Sequence, residues 1–395
     1  MLLRRRAAVT VALARWCLGI YRSRVIASEW IVDRLVLPHV LQHGARLAAS
    51  DGRLVAVDQA APTPQAVRLR GTLLPGFVDL QVNGAGGAAV DTATPAALDT
   101  VARAVERGGA VAFLPTLITA PWPRLLQQVD AVASWIERWS GGGAEPLGLH
   151  VEGPFLVTPG AHDSTCFVDP TPARVQQLLQ AARGRLRLVT LGHARPGAAA
   201  ATAMLTAAGV TVSLGHCDRS EGFTACVDAG ASTVTHLFNV MGTMHHREVS
   251  VPGLALDDAR VSAGLVVDGV HVHPAMVRTA FRVLGPDRLV LVSDAVGAAG
   301  MPDGDYTLSG ARVVAKAGVV RDDNGNLAGS ALTMATAARN FLHFVPDAGD
   351  WTLARIASGN PARLARADHL GSIAVGKRAA FTLRADDGTF TCVRG

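Results

Sequence analysis

A chain of 395 residues, 49% hydrophobic and 17% charged, carries enough apolar material for one large core and a smaller second one, which excludes an extended disordered protein. The formal charge of +5 is mild and spread along the chain, and no basic patch is interleaved with aromatics. Nucleic acid is therefore excluded as a partner, while small anions such as phosphorylated metabolites remain attractive.

The first residues, MLLRRRAAVTVALARWCLGIYRSR, have a basic start and a short apolar run from Ala7 to Ala14 that Arg15 interrupts. The run is too short to span a bilayer, and no small-residue cleavage site follows it cleanly. Residues 1–34 are read as a poorly ordered or loosely helical extension, with a start codon placed too far upstream as one origin and export as the minority alternative. No later segment is apolar for long enough to form a membrane helix, so no membrane partner is expected. Five scattered cysteines (Cys17, Cys166, Cys217, Cys226 and Cys392) without a CxxC argue against a disulfide framework and a structural zinc knuckle, and fit a reducing cytoplasm.

From Leu35 to Leu74 the chain alternates short β-like runs with turns, and Asp51-Gly52 reads as a hairpin turn. The tail from Gly371 to Gly395 has the same character. Residues 35–74 and 371–395 are therefore expected to pair into one small β domain flanking a larger one over 75–370.

Between Phe77 and Pro346, buried-strand runs alternate with amphipathic helical stretches. The runs are FVDLQV, VAFLPTLIT, LGLHVE, RLRLVTL, VTVSLG, STVTH, AGLVV and RLVLVSD. Eight strands are what a closed (β/α)8 TIM barrel requires, and the intervening TPAALDTVARAVERGG, PRLLQQVDAVASWIERW, TPARVQQLLQAAR, AAATAMLTAAG, EGFTACVDAG and PAMVRTAFRVLG read as helices. A doubly wound open sheet is weaker, because the GAGG at 84–87 lacks the GxGxxG spacing of a dinucleotide turn.

In such a barrel the catalytic groups lie at the C-terminal ends of the strands. Asp79, Gln81 and Asn83 fall there for strand one, Thr116 and Thr119 for strand two, Glu152 for strand three and His193 for strand four. His216, His236, Asp268 with His271, and Asp294 follow for strands five to eight. Any one of these is as readily a satisfied loop residue or a strand cap. Together they gather a metal-ligand set and a spare carboxylate at one mouth.

Glu152, His216 and His236 form a recurrent ligand set for a catalytic zinc, which lowers the pKa of a bound water to about 7. Asp294 is placed to act as general base and then acid, taking a proton from that water and passing it to the leaving nitrogen of an amide. His271 is placed to donate a hydrogen bond to the carbonyl oxygen. In the loop FNVMGTMHHREVSVPGL, Arg247 suits a phosphate through its planar fork, although a lone loop arginine is more often simply solvated. The donor set also accepts iron, cobalt or manganese, so one divalent ion, zinc first, is the expectation.

The segments PGFVDLQVNGAGG, FLPTLIT, GLHVEGPF, SLGHCD, THLFNVM, HHRE, VDGVHV, LVSDA and NLAGSALTM occur in order through nearly the whole chain after Leu35. On these the sequence resembles the N-acetylglucosamine-6-phosphate deacetylases of the amidohydrolase superfamily. The resemblance implies a (β/α)8 barrel with a small β-sandwich, usually homodimeric, that hydrolyses the acetamide of an amino-sugar 6-phosphate to the amine and acetate, within amino-sugar catabolism. It assigns the metal ligands to Glu152, His216 and His236, the catalytic aspartate to Asp294 and the carbonyl contact to His271. A substrate-loop histidine falls on His162, the phosphate neighbours on Asn239 and Val240, and a phosphate arginine reaching into the partner's site on Arg247.

Three departures stand out. Gln81 and Asn83 occupy the places of a metal-binding His-x-His, so one metal is expected rather than two. Gly192-His193-Ala194 replaces an Ala-Pro-Glu, and the spacer from Arg247 to Pro252 is longer than the resemblance leads one to expect. Deacetylation of the galacto epimer or of another N-acyl substrate, or non-catalytic binding of amino-sugar phosphates, are the alternatives.

Overall fold

The computed structural model describes residues 28–395, so the reading of residues 1–27 as an extension lies outside them. The chain enters through β1 (Ser28–Val36), β2 (Leu41–Ser50), β3 (Arg53–Asp58) and β4 (Val67–Pro75). The β domain therefore already includes residues from Ser28, ahead of the start expected at residue 35. In SEWIVDRLV, Trp30 and Val32 share one buried face, a register shift follows between Val32 and Arg34, and Leu35 is buried beyond it. Asp51 and Gly52 take φ of 52° and 68° at the β2–β3 turn, the left-handed pair that a tight hairpin needs.

The larger unit is a ring of parallel strands: β5 (Phe77–Val82), β6 (Ala110–Ile118), β7 (Leu149–Glu152), β8 (Leu186–Leu191), β9 (Thr211–Leu214), β10 (Thr233–Val234), β11 (Ser262–Leu265) and β12 (Leu289–Leu291). Each pairs with the next in chain order, and a parallel bridge between Val82 and Ala295 brings the last back to the first. Every residue of β5, β6, β7 and β9 is buried, as expected for strands covered on both faces, which is why they read as apolar runs.

The helices that return the chain have legible ends. In α1 (Pro95–Arg107) the Thr94 hydroxyl caps the first turn, proline occupies the N-terminal position, and Leu98, Val101, Ala102 and Val105 form the buried stripe. α2 (Trp122–Arg138), α3 (Pro172–Ala181), α4 (Ala198–Ala207), α5 (Phe223–Asp228), α6 (Val251–Asp257) and α7 (Pro274–Arg288) follow.

After β12 the chain makes an excursion absent from the sequence expectation: β13 (Gly304–Leu308), β14 (Ala311–Lys316) and β15 (Val319–Asp322) form a separate three-stranded antiparallel sheet. Its buried face (Leu308, Val313, Ala315, Val320) packs on Ile118 and Val296 at the barrel mouth. α8 (Met334–Phe344) then returns the chain to the outside of the barrel.

The tail supplies β16 (Ala380–Arg384) and β17 (Phe390–Arg394), and β16 pairs antiparallel with β4 through Phe381 and Pro75. Both ends of the chain thus share one six-stranded sheet, as expected. The sheet curls over a core of its own (Trp30, Leu47, Leu73, Phe381), and its far edge comes back to the tail where Leu54 N donates to Lys377 O at 2.9 Å. No helix among the described residues is long and apolar enough to cross a membrane.

Candidate metal centre

At the C-terminal mouth of the barrel Glu152, the last residue of β7, meets His216 after β9 and His236 after β10. Glu152 Oε1 lies 3.3 Å from His216 Nε2 and 3.2 Å from His236 Nε2, and the two Nε2 atoms are 3.1 Å apart. A tetrahedral zinc with ligands at about 2.0 Å has edges of about 3.3 Å, so this triangle is the size of one face of such a site.

The proton inventory supports the same reading. His216 Nδ1 donates to the Thr158 carbonyl at 3.1 Å, so in the neutral ring Nε2 is a lone pair. It points at a carboxylate oxygen and a second imidazole, all three groups buried. The His216 lone pair and the Glu152 oxygen, converging in a dry site, repel one another unless a proton on His236 Nε2 or a cation is shared between them. The donor set is thus compatible with a divalent ion.

Two of these ligands and the aspartate beside them sit in backbone conformations that L-residues seldom adopt: His216 at φ 48°, His236 at φ 34° and Asp294 at φ 51°. Each follows the end of a barrel strand, where the left-handed kink turns a side chain into the mouth instead of along the wall. Such strain is stored where the surrounding structure over-determines it. Gly160 shows how closely the loop after β7 approaches, since a Cβ there would lie 3.1 Å from Val240 Cγ2 and 3.3 Å from His216 Cε1.

Gln81 and Asn83 are where the departure from a His-x-His acquires a role. Gln81 Nε2 donates to Glu152 Oε2 at 3.1 Å and to Asp294 Oδ1 at 3.0 Å, and Asn83 Nδ2 donates to the same Asp294 oxygen at 2.8 Å. The two amides hold two carboxylates where imidazoles would recruit another cation. Burial, and then the charge of Glu152, push the Asp294 carboxyl up to about 6. Below it Asp79, raised by burial to about 6, accepts hydrogen bonds from Ser293 OH, from Ser293 N at 3.2 Å and from Gln81 N at 3.3 Å.

The cavity above these groups has a volume of about 260 Å³, and its lining includes Glu152, His162, His216, His236, Asn239, Val240, His271 and Asp294. The His162 ring packs edge-on to His216 and takes a hydrogen bond geometry of 2.8 Å with Thr119 Oγ1 through Nδ1; burial pushes its pKa down to about 3. His271 faces the cavity with Asp268 behind it.

Two residues lie off this cavity: His193, which the sequence reading placed at the mouth, and Arg247, which it assigned to a partner's site. Arg247 is exposed in the loop 242–249 and lines no part of this cavity. His193 turns outward, its Nε2 2.6 Å from the Arg219 carbonyl and its ring edge-on to Phe223, so it clasps the loop that follows His216. The sequence reading did not anticipate Leu308, Asn326 and Leu327, which roof the cavity from the three-stranded sheet and the turn after it. The NLAGSALTM run contained the signal for two of them.

A parallel barrel with a Glu-His-His donor set and a free aspartate at its C-terminal mouth defines an enzyme of the metal-dependent hydrolase class. The chain belongs to the amidohydrolase family, whose model matches residues 72–391. It is 37% identical to the N-acetylgalactosamine-6-phosphate deacetylase of Escherichia coli O157:H7 over 91% of this chain and 93% of that one. It is 36% identical to the N-acetylglucosamine-6-phosphate deacetylase of Vibrio furnissii over 80% and 79%. Among solved structures, a variant of the N-acetyl-D-glucosamine-6-phosphate deacetylase of Mycobacterium smegmatis in complex with N-acetyl-D-glucosamine-6-phosphate superposes with a TM-score of 0.86 at 34% identity, covering 93% of this chain and 97% of that chain.

Proposed function

We propose that the protein hydrolyses the acetamide of N-acetyl-D-glucosamine 6-phosphate to D-glucosamine 6-phosphate and acetate, as a step of amino-sugar catabolism. The observation that carries this reading is the convergence of Glu152, His216 and His236 within 3.3 Å of one another beside an aspartate held by two amide donors. Glu152, His216 and His236 would hold a divalent ion, zinc first and iron, cobalt or manganese otherwise, which would supply an acidified water and a polarised carbonyl.

The chain's own residues do the rest. Asp294 takes the proton of the attacking water and delivers it to the amide nitrogen, since an amine leaves only when protonated. His271, across the cavity, donates to the carbonyl oxygen as negative charge gathers on it. Gln81 and Asn83 hold the Asp294 carboxylate in place by their amide hydrogens. His162, Asn239 and Val240 contact the sugar phosphate. Arg247, exposed and away from its own cavity, reaches the phosphate in the partner's site of a homodimer. The four cysteines of the described residues are free, in keeping with a cytoplasmic protein.

Acetate release from N-acetylglucosamine 6-phosphate by metal-loaded protein tests this reading. A second reading, preference for the galacto epimer, is favoured by the relative from Escherichia coli O157:H7. Specific activities on the two epimeric phosphates separate them, and tight binding with no acetate from either would identify a non-catalytic binder.

A further inference from the structure

We propose that Asp268 is a positioning residue for the reaction, acting as the anionic half of an Asp268–His271 ion pair that keeps the imidazole doubly protonated, so that Nε2 meets the substrate carbonyl as a charged donor. The proposal rests on the deacetylase reading and adds a residue and a charge state to it.

Asp268 Oδ2 lies 2.6 Å from His271 Nδ1, a length typical of a charge-assisted hydrogen bond. Its other oxygen, Oδ1, accepts from the backbone N–H of Val270 and of His271, each at 2.8 Å. The carboxylate therefore cannot swing away from the ring. Both side chains are nearly enclosed, at 10% and 6% exposed. Gly269, with φ of 82°, makes the turn that lets one carboxylate serve both backbone donors and the ring three residues on.

The chemistry follows from counting protons. With Nδ1–H committed to Asp268, a neutral ring presents a lone pair from Nε2 to the cavity. A lone pair facing a substrate carbonyl oxygen is repulsive, and across the cavity it faces more acceptors, the carboxylates of Asp294 and Glu152. Only the imidazolium has a proton to give at Nε2, and the buried carboxylate behind the ring balances its charge. The opposite charge of His271 is also one of the influences that hold the Asp294 carboxyl down against burial. One ion pair thus serves the electrophilic side of the site and the base.

The isosteric Asp268→Asn variant tests this. Its amide oxygen still accepts from the two backbone N–H groups, while its NH2 turns to Nδ1 and forces a neutral ring protonated at Nε2. A donor of the right geometry survives and the charge is lost. KM is expected to stay within about twofold while kcat falls about tenfold, because the donor remains and only its charge, about half the strength of the hydrogen bond, is lost. Metal content and thermal midpoint should stay at wild-type values. The double variant with His271→Gln should be no slower than His271→Gln alone.

The 15N resonances of His271, assigned by their absence in His271→Gln, should report two protonated nitrogens in the wild type. A neutral His271 in the wild type would overturn the proposal, even if the Asn variant failed to fold and even if the wild type released no acetate. So would an Asp268→Asn kcat within about threefold of wild type.

Discussion

Glu152 and Asp294, contributed by opposite arcs of the barrel, share a single donor: the Gln81 amide gives one hydrogen to each, at 3.1 and 3.0 Å. One carboxylate belongs to the candidate metal-ligand triangle and the other does not. The shared amide keeps the second close to the first without letting it join the donor set.

Replacing Asp294 by Asn removes the base and leaves the ligand triangle intact. Turnover is expected to fall by at least about 100-fold with metal content unchanged, since a positioned general base contributes about 10²–10⁴. Elemental analysis beside an acetate assay reads both quantities.

The pH dependence follows from the raised Asp294 carboxyl. A base must be ionised to work, and this one takes up a proton as pH falls through about 6, so kcat declines on the acid side of that value. A cation on the neighbouring ligands pulls the value down, so the acid limb should lie at or below pH 6. Gln81→Leu leaves two carboxylates facing each other with a donor removed, which should move the limb to higher pH. A limb that stays put in that variant would show that the amide does not tune the base.

Glu152→Gln keeps the shape of the ligand triangle and discards its negative charge. Bound metal should drop from about one equivalent to below about one tenth under dialysis, because the two imidazoles alone are an incomplete set. Gly160→Ala attacks the same triangle sterically. A methyl 3.3 Å from His216 Cε1, at a residue of φ 56°, should cost roughly 1–2 kcal/mol in apparent stability and weaken metal retention.

For Arg247 the prediction concerns pairs of subunits. Arg247→Ala should raise KM for the sugar phosphate about tenfold or more with little change in kcat, and should not affect a substrate lacking the phosphate. Mixing Arg247→Ala with Asp294→Asn subunits should restore a fraction of the turnover at the wild-type KM, because one hybrid site then carries an intact base and a partner's arginine. No recovery after subunit exchange would remove the shared-site reading.

Much of the barrel was legible because parallel strands buried on both faces are written as unbroken apolar runs. LVL needed nothing beyond that, while in FVDLQV the polar Asp79 and Gln81 are buried along with the apolar residues. The Glu-His-His set was legible because each residue closes such a run. The roof over the cavity was not: GDYTL and ARVVAK alternate exposed and buried residues, and they interrupt the β/α rhythm without changing it. His193 misled for a related reason. It ends a strand at the mouth like His216, but it lacks the positive φ that turns His216 inward, and a tight contact with Arg219 draws it outward. Nothing in the spacing of Gln81 and Asn83 says that their amides hold carboxylates, because the partners arrive from residues far along the chain.

The account depends on one ion per chain held by Glu152, His216 and His236. The measurement that bears on it most directly is acetate release from N-acetylglucosamine 6-phosphate by chelator-stripped protein titrated with zinc. Activity should rise from near zero in a straight line and break sharply at one equivalent. Full activity in the stripped protein, or a break at two equivalents, would contradict it.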